Sequence, residues 1–286
     1  MWATARLCPV ARAIGARVNT RPICSAARIM RPGPHQDGYT LGDAGLDGLS
    51  FSGCGWLLTY HAGVTDALQR ANALDDSAKF FGVSGGSIIA VANALGFPPE
   101  ETLKVVASAF DGNPPGLRIW GAVDPILRST FDKLIPDDGH KVCTNRIGIV
   151  ITRVWPKPGS LVVTQFESKQ DLIESIIASC HVPGYIDGRL VRPYRGALAV
   201  DGGIGQLVPD VANTVPVFPL PLPKYFRGGK DGIGPSSFTE IPLPTISMMT
   251  GAFFPFDEPK HRKLFAFGQQ CADAWLERHL GSRQAF

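Results

Sequence analysis

Gly82-Val83-Ser84-Gly85-Gly86 is the segment that most limits how this 286-residue chain can fold. It follows an apolar extended run, Lys79-Phe80-Phe81, and leads into Ser87–Leu95, whose apolar residues read as a helix. A strand that turns into a helix within so few residues needs backbone without Cβ atoms. The GxSxG spacing supplies that on both sides of a serine, with Gly82 and Gly86 forming the elbow. In such a turn the serine hydroxyl is held out of the sheet in a strained conformation, the posture of a nucleophile. A second strand–turn–helix unit lies upstream: Leu49-Ser50-Phe51, then Gly53-Cys54-Gly55, then Trp56–Ala71 with Leu57, Tyr60, Val64 and Leu68 at helical spacing.

Further along, the β-branched runs Ile147–Val154 and Leu161–Phe166 flank Pro156–Gly159 and read as a hairpin or neighbouring strands. Asp171–Cys180 reads as a helix, Ala197–Val200 as a strand ending in Asp201-Gly202-Gly203, and Leu264–Leu280 as a closing helix with a solvated charged face. Strands alternating with helices predict an α/β sandwich with a mostly parallel sheet. Ten prolines stand between Pro209 and Pro259, among Phe218, Tyr225, Phe226, Phe253, Phe254 and Phe256. Proline at that density predicts extended packing and long loops instead of regular elements. An apolar rim against lipid is the alternative.

Charge divides the chain unevenly. Residues 1–36 hold six arginines, no lysine and no acid, whereas the remainder holds 22 basic and 25 acidic residues. Leu7, Val10, Ile14 and Val18 fall within about 80° of a helical wheel. This is the composition of a transit peptide, mitochondrial first and plastid second, with a disordered or RNA-binding arm as the alternative. Residues 37–46 read as a linker, with ordered structure from near Leu46. Residues 47–213 form the catalytic core, and 214–286 a Pro/Phe-rich segment and final helix packed on the same domain. The folded part, slightly acidic, gives no reason to expect nucleic acid. No run approaches the roughly 18 apolar residues of a spanning helix, so membrane contact would be peripheral. The six cysteines are scattered without a CxxC pair, which predicts reduced thiols, no disulfide framework and no metal site.

Two more segments carry chemistry. Backbone N–H groups of Gly53-Cys54-Gly55, at the start of a helix, have no intrahelical partner and would form an oxyanion hole. A plain tight turn is the alternative reading. A dinucleotide fingerprint would need glycine where Leu58 stands, and no GK[ST] follows to make a phosphate loop. Asp201, at a strand end and followed by Gly202 and Gly203, is placed to face a crevice at the carboxyl ends of the sheet. An ordinary Asp-Gly turn remains the competing account.

In combination these residues resemble the patatin-like phospholipase family, in its adipose triglyceride lipase and adiponutrin branch. The resemblance rests on Ser50-Phe51-Ser52-Gly53-Cys54-Gly55-Trp56-Leu57, Tyr60-His61-Ala62-Gly63-Val64, the GxSxG, Ala178-Ser179-Cys180-His181-Val182-Pro183 and Val200-Asp201-Gly202-Gly203-Ile204. It runs from about Leu49 to Leu280. It implies a three-layer α/β/α sandwich and a serine–aspartate dyad, with Ser84 the nucleophile, Asp201 its base and the amides around Gly53, Cys54 and Gly55 the oxyanion hole. The implied activity is hydrolysis of carboxylic esters of glycerolipids, phospholipid or triacylglycerol, at a membrane or lipid-droplet surface, with no cofactor and no metal. A lipid transacylase and a non-catalytic lipid-binding scaffold are the alternatives. The chain departs from the family's pattern at Leu58 and Leu207, while Pro209 fits. A Ser–His–Asp triad would instead recruit His261 or His279. His261, in Lys260-His261-Arg262-Lys263, reads as part of a solvated basic patch, and His61 and His181 as packing or hydrogen-bonding residues.

Overall fold

The computed structural model describes residues 40–109, 116–235 and 241–279. The segment read as a transit peptide lies outside them. Seven strands form one sheet: β1 (Gly48–Phe51), β2 (Lys79–Val83), β3 (Ile147–Trp155), β4 (Gly159–Val163), β5 (Arg192–Tyr194), β6 (Ala197–Val200) and β7 (Thr214–Val217). The helices are α1 (Leu58–Arg70), α2 (Gly85–Ala94), α3 (Pro99–Ser108), α4 (Val123–Leu134), α5 (Gly139–Cys143), α6 (Lys169–Ser179), α7 (Gly202–Gly205), α8 (Thr245–Gly251) and α9 (Glu258–His279). They flank the sheet in a three-layer α/β/α sandwich. Strands β7-β1-β2-β3 are parallel neighbours, and β4 and β6 join β3 antiparallel. Because β5 is antiparallel to β6, all strands except β4 and β6 point the same way. None of the described helices is long and apolar enough to cross a membrane.

The pairing on β3 positions everything that follows. β4 covers Ile149–Arg153 on one edge. The other edge is shared end to end: β2 pairs with Ile147–Val150 and β6 with Thr152–Trp155. Since β2 is parallel and β6 antiparallel to β3, their C-terminal ends run towards each other and meet opposite Ile151. The residue after β2 is Ser84, and the residue after β6 is Asp201. Local sequence gives no register of this kind, because the two strands are far apart in the chain.

The core is built on the inner faces of these strands, with Leu49, Phe51, Phe80, Ile147, Ile149 and Ile151 buried. Helix α1 lies against α9 at a distance that only glycine permits. A Cβ on Gly63 would stand 2.0 Å from the Phe265 carbonyl oxygen, and one on Gly268 2.1 Å from that of Tyr60. Helix α3 opens with Pro99 and places Glu100 and Glu101 in its first turn, where a helix N-terminus favours negative charge. The Ser168 side chain caps α6, accepting the Asp171 N–H at 3.1 Å.

Two expectations change. Leu41, within the stretch read as linker, is buried and donates its N–H to the Ala73 carbonyl, so the chain joins the core before Leu46. The proline-rich region also contributes regular elements, β7 and α8. Pro216 fits in β7 because Ile233 donates to its carbonyl at 2.8 Å, on the side away from β1. The missing proline N–H therefore removes no bond from the β1 ladder. Pro244 stands immediately before α8, outside the hydrogen-bonded turns it would break.

Candidate active site

Ser84 adopts φ 52 and ψ −127, a strained positive-φ conformation that costs a non-glycine residue about 1–3 kcal/mol. Its neighbours make the turn physically possible. A Cβ on Gly82 would lie 2.3 Å from the Gly86 carbonyl oxygen, and one on Gly86 2.5 Å from those of Phe51 and Ser52. Gly85 is equally constrained, since a Cβ there would meet the Gly55 carbonyl oxygen at 2.6 Å and Cys54 Sγ at 2.8 Å. Hydrogen bonds then fix the turn. The Ser84 N–H donates to Ser179 Oγ at 2.9 Å, and Ser179 Oγ donates to the Val150 carbonyl at 2.6 Å. Ser87 Oγ donates to the Ser84 carbonyl at 2.6 Å. Ser179 thus bridges β3 to the elbow from the end of α6, a role no local pattern announces.

Asp201 is 4% exposed. Its N–H donates to the His181 carbonyl at 2.7 Å, and its Oδ1 accepts the Gly203 N–H at 2.7 Å. Oδ2 is buried and holds no formed hydrogen bond, which leaves it as the open acceptor. Burial drives the carboxyl up to about 6, against the hydrogen-bonding pull of the facing Ser84 side chain and the Gly203 amide. A loose serine–carboxyl contact of this sort is common before substrate arrives. The glycines of the following turn are there for contact: a Cβ on Gly202 would be 2.2 Å from the Val150 carbonyl oxygen. Thr152 Oγ1 holds the turn, donating to the Gly202 carbonyl at 3.1 Å and accepting the Gly205 N–H at 3.0 Å.

Two thiols complete this dry pocket. Burial pushes Cys54 well up, reinforced by Cys180 and Asp201. Burial also raises Cys180, with the Asp201 charge adding to it and the Ser87 and Ser84 hydroxyls opposing. Both are held as neutral thiols beside the carboxyl.

The oxyanion segment needs one correction. The Gly53 N–H already donates to the Leu207 carbonyl at 2.8 Å, so it is not available to a substrate. Gly53 lies beside the nucleophile without being forced to be glycine: a Cβ there would meet the Leu207 side chain at 3.3 Å and the Ser84 Cβ at an ordinary 3.7 Å. Among the described residues no acceptor takes the N–H of Cys54 or Gly55. Gly85 opens α2, so its N–H has no partner within the helix. Sequence reading passed over Gly85 as a donor, although the residue after the nucleophile is the usual one in such elbows. The departure at Leu207 is accommodated because the backbone carbonyl makes the contact. Leu58 is a buried core residue at the start of α1.

None of the four histidines considered hydrogen-bonds to the Ser84 or Asp201 side chain. His261 is fully buried and not part of a solvated patch. Its Nδ1 lies 3.2 Å from Thr59 Oγ1, and burial lowers it to about 4 despite Asp257. Helix periodicity explains the error, since α9 turns His261 inward while Arg262 and Lys263 face out. His279 stacks on Trp275 and pairs with Asp231 at 3.1 Å. His61 Nε2 lies 3.2 Å from the Ser52 carbonyl oxygen, and burial lowers it to about 3. His181 contributes its carbonyl to Asp201, and its ring is 3.9 Å from Asp187.

Beyond His181 lies a second group of acids. Arg192 reaches Asp124 at 2.8 Å, Glu174 at 3.0 Å and Asp187 at 3.4 Å. Arg128 grips Glu174 through both terminal nitrogens and Asp124 through Nε at 2.7 Å. Burial alone would raise Glu174, but the hydrogen bonds from Arg128 and Arg192 hold it down to about 2.

Residues 49–220 match the family model described as patatin-like phospholipase. Among curated proteins, the chain is similar to the 1-acylglycerol-3-phosphate O-acyltransferase PNPLA3 of Homo sapiens, 33% identical over 80% of this chain and 49% of the relative. It is similar to the human omega-hydroxyceramide transacylase, 31% identical over 80% of this chain and 46% of the relative. It is 34% identical to the human patatin-like phospholipase domain-containing protein 4, over 77% of this chain and 92% of that protein. The chain therefore spans about half the length of the first two and nearly all of the third.

Proposed function

The chain belongs to the patatin-like phospholipase family, and from that premise we propose that it is a lipid acyl hydrolase of glycerolipid esters, working through Ser84 and Asp201. The observation that carries the reading is a single buried carboxyl, unpaired and raised to about 6, facing a serine held at positive φ. A carboxylate of ordinary pKa, about 3.9, is a weak base at neutral pH, and burial brings it closer to the proton it must take.

In this mechanism Ser84 Oγ attacks the ester carbonyl carbon while Asp201 accepts the hydroxyl proton. The carbonyl oxygen becomes an oxyanion against the N–H groups of Cys54, Gly55 and Gly85. Each such donor is worth roughly 3 kcal/mol in the transition state. The tetrahedral intermediate collapses, and Asp201 returns the proton to the departing alkoxide. Water then attacks the acyl-serine with Asp201 again as base, releasing the fatty acid and restoring Ser84. Water exclusion strengthens every one of these interactions, and a lipid surface over the cleft would supply it.

Labelling with a fluorophosphonate probe tests the reading. The folded wild type is expected to carry one adduct on Ser84 that Ser84→Ala abolishes, with hydrolysis of a glycerolipid panel lost in parallel. Folded wild type that takes no label and cleaves no lipid would support the non-catalytic scaffold instead. Acyl transfer is a second reading, favoured by the names of two relatives. It uses the same acyl-serine with an alcohol in place of water, and is recognised when acyl groups appear on an added acceptor and not as free acid.

A further inference from the structure

Three exposed segments meet beside the oxyanion loop, and none contains an acidic residue. The first is the 3-10 turn Gly116–Ile119 with Trp120 after it. The second is the loop 188–190, and the third is α8 with Phe253 beyond it. On α8 Ile246 and Met249, at i and i+3, are 73% and 59% exposed, and Phe253 just past its end is 41% exposed, so this side of the helix and its exit are apolar and uncovered. Leu117, Trp120 and Leu190 are likewise exposed. The segments adjoin one another. Tyr185 contacts the Trp120 ring at 5.2 Å and the Phe253 ring at 5.9 Å, and Gly121 donates its N–H to the Tyr185 carbonyl. The loop 188–190 joins them because the Arg189 carbonyl accepts the Gly184 N–H and a Cβ on Gly121 would lie 3.7 Å from the Gly188 nitrogen. Arg118 and Arg189, both exposed, lie within the patch in sequence, and no described acid pairs with either.

The patch is tied to the chemistry. Trp56, just past Gly55, donates its indole N–H to Tyr185 Oη at 2.8 Å, and its backbone N–H to the Ala252 carbonyl at 3.2 Å. Tyr185 Oη in turn donates to the Phe253 carbonyl at 2.5 Å. A Cβ on Gly55 would strike the Ala252 carbonyl oxygen at 1.8 Å, so α8 rests directly on the loop that offers the oxyanion amides.

We propose that Leu117, Trp120, Leu190, Ile246, Met249 and Phe253, with Arg118 and Arg189 among them, form the surface by which the protein docks on an anionic lipid surface, beside the loop that offers the oxyanion amides. This rests on the lipid acyl hydrolase reading for its purpose, though not for its physics. Apolar and aromatic tips enter the acyl boundary while guanidinium groups meet lipid phosphates and carboxylates, the pattern of an interfacial protein that does not span the bilayer. An uncovered apolar face beside the oxyanion loop, whose adjoining acid Asp187 is taken up by Arg192, is otherwise a solubility cost.

The test uses the full chain, vesicles of phosphatidylcholine with and without phosphatidylserine, and a soluble short-chain nitrophenyl ester. Wild type is expected to sediment with vesicles, more strongly when phosphatidylserine is present. The doubly substituted Ile246→Gln, Met249→Gln protein should lose about tenfold or more in vesicle association. Its kcat/KM on the soluble ester should be unchanged, because both side chains point to solvent, 73% and 59% exposed. Arg118→Gln with Arg189→Gln should cost about fivefold per arginine on the anionic vesicles only. Wild type that ignores both vesicle types, or an Ile246/Met249 variant that binds as wild type does, would overturn the docking surface. If the variant loses vesicles while wild type cleaves no ester, the surface stands and the hydrolase reading falls.

Discussion

Asp201 is buried and the acids around Arg192 are half-buried, and the fold treats them in opposite ways. Glu174, Asp124 and Asp187 receive two guanidinium groups, and Glu174 is held down to about 2. Asp201, with one backbone amide and a serine, is pushed up to about 6. The two groups are close in the chain's connectivity, for the loop 180–187 supplies both the carbonyl that binds the Asp201 amide and Asp187 itself. A chain able to provide cations for three acids leaves the fourth without one. Pairing makes a carboxylate structural; leaving it unpaired and dry keeps it capable of taking a proton.

The largest effect that would break this contrast is expected from Asp201→Asn. Ester hydrolysis should fall by about 10³-fold or more, as for loss of a general base. The same substitution should stabilise the fold. The carboxyl's pKa is raised on folding from 3.8 to about 6. The native state therefore binds its proton more tightly, its cost is small below about pH 4, and it grows until the pH passes 6. Removing the charge should add on the order of 2–3 kcal/mol at pH 7.5 and only about 0.5 kcal/mol at pH 4, read by urea denaturation at the two values. Wild-type kcat/KM should fall about tenfold per pH unit below 6, since the base must be ionised. Equal stability of the variant at both pH values would remove the contrast.

Next in size is Arg192→Met, which leaves Asp187 without a guanidinium partner and Glu174 and Asp124 with Arg128 alone. A loss of on the order of 2 kcal/mol is expected, again from urea midpoints. Fluorophosphonate labelling of the folded fraction should stay at the wild-type rate. A drop in labelling matching the loss of stability would show that the two regions are one. The smallest effect is expected from Ser179→Ala. It removes the acceptor of the Ser84 N–H and should lower kcat about tenfold with KM unchanged, for roughly 1 kcal/mol of stability.

Much of the site can be read from sequence because its parts are short and chemically forced. Gly82, Gly86 and Gly202 sit where backbone meets backbone, and the residue type records that directly. What escapes is whatever depends on partners far along the chain. Nothing near Gly53 announces that Leu207 takes its amide, and nothing near Ser179 that it bridges Val150 and Ser84. The meeting of β2 and β6 on one edge of β3 is a matter of register, which alternating apolar residues do not encode at a distance. Arg192 gathers acids from α4, α6 and the loop before β5, a grouping without sequence periodicity. The proline-rich region and His261 depart from the sequence reading for a related reason: composition suggests long loops and a solvated patch, whereas the side of strand or helix on which Pro216 and His261 lie decides the outcome.

The glycine notch between α1 and α9 bears on how such a protein is made. A ribosome delivers α1 early and α9 only after every strand has been synthesised. Until then the groove beside Gly63 stands open, with Tyr60 and Val64 wetted on a nascent chain that cannot yet close. Newly made protein is therefore most vulnerable to sticking or cleavage in the interval before its final described helix emerges, and a holdase that covers that groove would be protecting the partner site of α9.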